Sequence, residues 1–299
     1  MRPGRRIREA LTDLWLVGPG VAAMLALIFV PVALVAVLSF TDYQFGARSF
    51  RWVGLENYHR LFTDPIGRKA VTNTLLYVAI VIPFSMTLAL LVALGLHRLA
   101  QTMPRLSGIL QAAYFLPVAA TLVAMAIAWQ MLLHPSIGPV NAVLKQLGLP
   151  APDWLSDRGL VLYTLAAIGI WQSVGYNMVL FLAGLAAIPR HLYEAAAVDG
   201  ATRGWERFWT VTWPMLGPTT LFVAVITATN AFRVFETVAT LTRGGPAFAS
   251  DTLVYALYRE GFVYFKAGYA SAITMVFFVV MMVLTLAQFA LIERRVHYR

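Results

Sequence analysis

No cysteine occurs among the 299 residues, which removes disulfides, thiolate metal sites and cysteine nucleophiles together, although it selects no compartment. Charge is scarce as well. Asp, Glu, Lys and Arg make up 12% of the chain against 60% hydrophobic residues, about half the charged share of an ordinary soluble domain. The five histidines, His59, His97, His134, His191 and His297, are scattered rather than paired. No H-x-x-x-H site, G-x-S-x-G elbow or phosphate-binding G-x-x-x-x-G-K-S/T loop occurs, so the chain is expected not to be an enzyme and not to hydrolyse ATP. The net charge of +9 has no long soluble basic face on which nucleic acid could lie.

Long apolar runs are what the chain does have. A hydrocarbon core about 30 Å thick needs roughly 20 apolar residues per helix. Six segments meet that length, at about 15–40, 75–96, 109–132, 160–188, 215–239 and 268–292. A β-barrel would alternate apolar and polar residues, and Val78, Ala79, Ile80, Val81 and Ile82 in succession do not. The first run is too long for a signal peptide and reads as an uncleaved anchor. The fold expected is all-α, a polytopic membrane protein of six transmembrane helices. The six-helix transmembrane domain is expected to span 15–292, between a cytoplasmic segment 1–14 and a cytoplasmic tail 293–299.

Basic residues set the expected orientation. With both termini inside, the inner segments carry twelve arginines in 57 residues, among them Arg2, Arg5, Arg6 and Arg8; the outer loops carry ten basic residues in 89. The excess inside places both termini in the cytoplasm. The first outer loop, 41–74, is more basic than the rule asks. Contact with a partner protein and anchoring in lipid headgroups both stand as readings of it.

Between the fourth and fifth runs lies a polar, glycine-broken island, 189–214. Pro189 suits a first helical turn and Gly200 a stop. Leu192, Ala195, Ala196 and Asp199 then share a face at i, i+3, i+4 and i+7. Thr202 is expected to cap a second short helix with Glu206 in its first turn, and Trp205, Phe208, Trp209 and Thr212 line one side of it. Periodicity alone allows two uses of this knob: a docking surface, or an amphipathic turn with its tryptophans at headgroup level.

The residues Glu194-Ala195-Ala196, Asp199-Gly200-Ala201 and Trp213-Pro214 resemble the EAA loop of ABC-importer permeases, with tryptophan where leucine is more usual. The resemblance extends to Gly54-Leu55-Glu56-Asn57-Tyr58, Asn73-Thr74-Leu75, Phe115-Leu116-Pro117, Phe181-Leu182-Ala183-Gly184-Leu185, Gly244-Gly245-Pro246 and Gly268-Tyr269-Ala270-Ser271-Ala272. It covers about residues 15 to 292 and points to the longer branch of the carbohydrate-type permeases, which handle sugars, polyols and glycerol 3-phosphate. The resemblance implies an importer with a second related permease, an ABC ATPase dimer and an extracytoplasmic solute-binding protein, in a bacterial-type cytoplasmic membrane. It implies that Glu194, Ala195, Ala196, Asp199, Gly200 and Pro214 belong to the ATPase contact. ATP and Mg would sit on the ATPase subunits, with no cofactor or metal in this chain.

Polar groups inside the spans are costly and often functional. Gln130, Gln172, Tyr176, Asn177, Asn230, Arg233 and Glu236 are the solute-path candidates. Asn230, Arg233 and Glu236 are spaced i, i+3, i+6, and on one helix Arg233 could pair with Glu236. The resemblance adds that the position of Arg233 often carries uncharged glutamine. Interhelical hydrogen bonding, worth about 0.6–2 kcal/mol each, is the structural use of the same residues. Pro83 and Pro117 are expected to kink the second and third spans. An ion-coupled secondary transporter is the alternative function, for which Glu236 would be the principal intramembrane carboxylate.

Overall fold

A computed structural model describes residues 15–295; the segment 1–14, with its four arginines, and the last four residues of the tail lie outside the described residues. The chain divides into two compact units, one running to Asp64 and including Leu257–Phe278, the other holding Pro65–Ala256 and the chain from Val279 onward. Among the described residues the structure is helical, with one isolated antiparallel bridge between Thr41 and Trp52.

In the first unit, α1 (Trp15–Leu38) is apolar throughout and contributes none of its most apolar window to the interior. A π-helical turn, Leu25–Phe29, widens it midway. A tight turn then leads to the short helix α2 (Glu56–Thr63), which buries Asn57 and Leu61. The Asn57 amide donates to the carbonyls of Ser39 and Thr41 at 2.9 and 2.8 Å, capping the end of α1.

The second unit is built on α3 (Pro65–Thr102) and α7 (Val161–Ala186). Ala89 and Ala93 of α3 are fully buried against Val174, Met178, Phe181 and Leu185 of α7. Small residues let helix backbones approach closely where lipid supplies no hydrophobic drive of its own. Glycine serves the same end: a Cβ at Gly175 would collide with the carbonyl of Tyr114 on α4 (Pro104–Ala119), and one at Gly184 with the side chain of Thr219.

Several expected spans are longer or more broken than their apolar runs. α3 is a continuous helix of 38 residues that contains Pro83 without interruption. The third span is two helices, α4 and α5 (Leu122–Leu132), meeting at 104°. Ala120 and Thr121 are extended there, one turn after Pro117, so one proline is absorbed by a long helix and the other lies close to a true break. A short helix, α6 (Pro139–Gln146), follows before α7.

After α7 come α8 (Arg190–Val198), α9 (Gly204–Met215) and α10 (Gly217–Phe232), the last two bent by 66°. The fifth span therefore ends at Phe232, seven residues earlier than its apolar run. Beyond a break at 233–235 a π-helical turn, Val238–Thr242, leads into a loop, then α11 (Leu253–Tyr258) and finally α12 (Ala267–Arg295). Four helices are long and apolar enough to cross a membrane singly, and six spans result when each bent pair counts as one.

The loop before α11 is pinned to the start of α3. The Asn73 amide donates to the carbonyls of Phe248 and Asp251, and Thr74 Oγ1 accepts the backbone N–H of Leu253 at 2.9 Å. Lys69 Nζ donates to the carbonyl of Ala247 at 3.0 Å. Irregular backbone beside a membrane needs such internal partners.

Candidate solute path and coupling surface

A cavity of about 440 Å³ opens between α3, α7 and α10, within the range of about 300–1,000 Å³ usual for small-molecule sites. It is lined by Gln172, Tyr176, Asn177, Asn230, Arg233 and Glu236, so six of the seven path candidates converge on one space. Gln130 does not join them. It lies on α5, beyond the 104° bend, and lines a separate cavity of about 470 Å³ with His134, Asp153, Ser156 and Thr242.

The chain break after α10 sets the electrostatics of the first cavity. Arg233 is the residue that ends α10, and the next helical turn begins only near Glu236. The expected continuous i, i+3, i+6 stripe is therefore interrupted, and among the described residues Arg233 and Glu236 make no ion pair with each other or with any third residue. Ending the helix at Phe232 turns the two side chains separately toward the cavity instead of stacking them along one face. Both remain solvent-exposed.

Asn177 is the buried counterpart, 1% exposed. Its Oδ1 accepts from Thr227 Oγ1 at 3.1 Å, while its Nδ2 has no partner among the described residues. A buried donor left unpaired costs about 1–3 kcal/mol, so this amide is poised to bond whatever enters. Tyr77, Ser173, Thr227 and Thr237 also line the space. Thr227 was discoverable from its i−3 position relative to Asn230; Tyr77 carried no signal beyond a hydroxyl within an apolar run.

The island 189–214 folds into a second candidate surface. Pro189 caps α8 in extended conformation, one residue earlier than a first-turn position. Gly200 adopts φ +95°, and the N–H groups of Gly200 and Ala201 bond the carbonyls of Ala197 and Ala196 at 3.3 and 2.9 Å. That pair of bonds is the Schellman arrangement, which requires a left-handed residue where glycine stands. The Arg207 guanidinium donates to the carbonyl of Ala201 at 3.0 Å and fixes the elbow from the other side.

Thr202 does not cap the following helix. Arg203 holds the capping position, and the Glu206 carboxylate accepts from its backbone N–H at 2.9 Å, the N3 half of a capping box. Trp205, Phe208, Trp209 and Trp213 pack as one ring cluster. Thr212 is buried and shares a hydrogen bond with the Tyr193 hydroxyl at 3.0 Å.

The expected small-residue face of α8 is split. Leu192, Tyr193 and Ala196 pack against the helical core, whereas Glu194, Ala195, Val198 and Asp199 point outward. Val198, 88% exposed, is the apolar member of that outer surface that sequence reasoning passed over. Pro214 is exposed near the end of α9.

Comparison with known proteins adds the following. The family profile described as "Binding-protein-dependent transport system inner membrane component" matches residues 69–298. The sn-glycerol-3-phosphate transport system permease protein UgpA of Agrobacterium fabrum is 35% identical over 255 residues, 85% of each chain. A solved bacterial ABC transporter involved in the import of the acidic polysaccharide alginate contains a chain that superposes with a TM-score of 0.82 at 25% identity, over 97% of this chain and 99% of that one. A second alginate transporter structure, in complex with an alginate pentasaccharide-bound periplasmic protein, superposes with a TM-score of 0.81 at 24% identity, over 96% of each chain.

Proposed function

This chain belongs to the family of binding-protein-dependent transport system inner membrane components, and from that premise we propose that it forms half of the path of an ATP-driven importer for an anionic, hydroxyl-rich solute. The solute class is a sugar acid, a sugar phosphate or a polyol phosphate such as glycerol 3-phosphate. The observation that carries the reading is one cavity lined by the guanidinium of Arg233 and the Nδ2 of Asn177, neither of which has a side-chain partner of its own among the described residues. Arg233 binds the anion, Asn177 and Gln172 donate to further oxygens, and Glu236 accepts from solute hydroxyls. The glycerol-3-phosphate relative and the acidic polysaccharide handled by the alginate transporter support an anionic cargo.

Coupling runs through α8. Glu194, Ala195, Val198 and Asp199 form the surface that enters a groove of an ABC ATPase, and the Gly200 elbow transmits its movement to α9 and α10. A second, related permease completes the path, and a solute-binding protein delivers the cargo from outside; both termini lie in the cytoplasm. The family does not favour the ion-coupled alternative. The test is ATPase activity of the complex reconstituted with the subunits encoded beside this chain, with its binding protein and a panel of anionic and neutral solutes. Stimulation by an anionic solute above its neutral analogue is expected. Equal stimulation by both removes the role given to Arg233.

A further inference from the structure

We propose that the turn after α1, together with the segment before α12, forms an aromatic platform that seats in the lipid headgroup layer. Six rings run in unbroken contact across this part of the first unit: Trp52, Phe50, Tyr43, Phe45, Phe262 and Tyr258, with centroids 5.8–6.3 Å apart. They are not a core. Trp52 is 66% exposed and Phe262 61% exposed. A contiguous exposed apolar surface of this kind marks a membrane or protein contact.

Position selects the membrane. α1 ends at Leu38 and α12 begins at Ala267, and Tyr43 and Phe262, one ring from each segment, each lie five residues from those ends. Even if fully extended, the five residues from Leu38 to Tyr43 reach at most about 17 Å, and the headgroup region begins directly at the edge of the hydrocarbon core and extends about 5–8 Å beyond it. Rings with polar edges concentrate in that layer.

The backbone is prepared for it. Phe45 N–H bonds the Phe265 carbonyl at 2.9 Å and Gly268 N–H bonds the Tyr43 carbonyl at 2.8 Å, which clamp the two segments together. A Cβ at Gly268 would collide with the Thr41 carbonyl, so glycine is what allows the clamp to close. Polar main-chain groups satisfied in this way tolerate contact with lipid.

Charge follows the same pattern. Asp42 is tied to Arg51, whose N–H and guanidinium hold its carboxyl below the usual carboxylate range, and Glu260 is buried against Arg259 and Lys266. Arg48 is exposed on the turn, where it is available to anionic phosphates.

The absence of cysteine makes the test direct. Trp52→Cys carries a single nitroxide in this chain, in the complete complex in lipid nanodiscs, with the unsubstituted complex as the labelling background. Collision with oxygen, enriched in lipid, is compared with collision with a water-soluble nickel chelate. Oxygen accessibility several-fold above nickel, with or without binding protein, is the expected result, and Phe262→Cys gives the same ordering from the other segment should the first variant assemble poorly. A nickel-accessible label that becomes shielded only when binding protein is added overturns the proposal in favour of a protein dock. A label shielded from both reagents in the complex alone overturns it in favour of a subunit interface.

Discussion

At Arg233 a single helix end decides the chemistry. Had α10 continued four more residues, the guanidinium and the Glu236 carboxylate would have stacked along one face and neutralised each other. Because α10 stops at Phe232, the cation faces the cavity without an ion-pair partner among the described residues. Replacing it by glutamine is expected to weaken the response to an anionic solute about 10- to 150-fold, as the loss of a charge-assisted hydrogen bond worth about 1.5–3 kcal/mol predicts. The response to a neutral analogue should be unchanged; the half-maximal solute concentration for ATPase stimulation reads both. Asn177→Leu should weaken binding of charged and neutral solutes alike, since the amide donates to any oxygen; equal solute affinity of variant and parent would show that it only holds Thr227. The residue types at these positions were visible in the sequence. The break that separates Arg233 from Glu236 was not, because an i, i+3, i+6 spacing looks the same whether or not the helix survives it.

Among the elements, the knob at 189–214, the proposed coupling surface, was the most legible. A proline, nine helical residues and a glycine stop read directly as α8, because only glycine accepts φ +95° without strain. Its inward and outward faces were not separable, since alanines at adjacent positions carry no polarity contrast; packing sends Ala196 in and leaves Ala195 out. Gly200→Pro cannot adopt the elbow, as proline fixes φ near −65°, and Glu194→Lys reverses the charge of the outer surface. Both variants are expected to insert normally yet lose ATP-driven uptake, and wild-type uptake by both would remove α8 from coupling. The contact between α4 and α7 gives a stability prediction. Gly175→Leu forces the two helices apart at the Tyr114 carbonyl, a change that costs about 1–3 kcal/mol or more. A lowered thermal midpoint of the solubilised chain is the expected outcome, and an unchanged midpoint would mean that the crossing is looser than described. Of the two prolines expected to kink their spans, Pro117 lies close to the 104° break between α4 and α5, whereas Pro83, in a similar apolar run, is absorbed by α3, and the sequence does not distinguish the two.

For the whole molecule, composition was enough to reach an all-α membrane protein, since so little charge over so many apolar runs leaves no soluble alternative. Family membership rests on a profile that covers residues 69–298 and on a relative matched over most of both chains. What composition could not give is which polar residues share a space. Gln130, the lone candidate in its apolar run, was already the weaker one, and the 104° bend sends it to a different cavity from the other six. Nor could it say that the first loop folds into a cluster of rings, because Trp52 and Phe262 are 210 residues apart in the chain and are linked through Phe50, Tyr43 and Phe45. The most direct test of an ATP-driven importer for an anionic solute is uptake into proteoliposomes holding the complete complex and its binding protein, comparing labelled glycerol 3-phosphate with glycerol, with and without ATP. Accumulation of the phosphate ester alone, and only with ATP, is the predicted result; uptake of both without ATP, or of neither with it, would contradict the assignment.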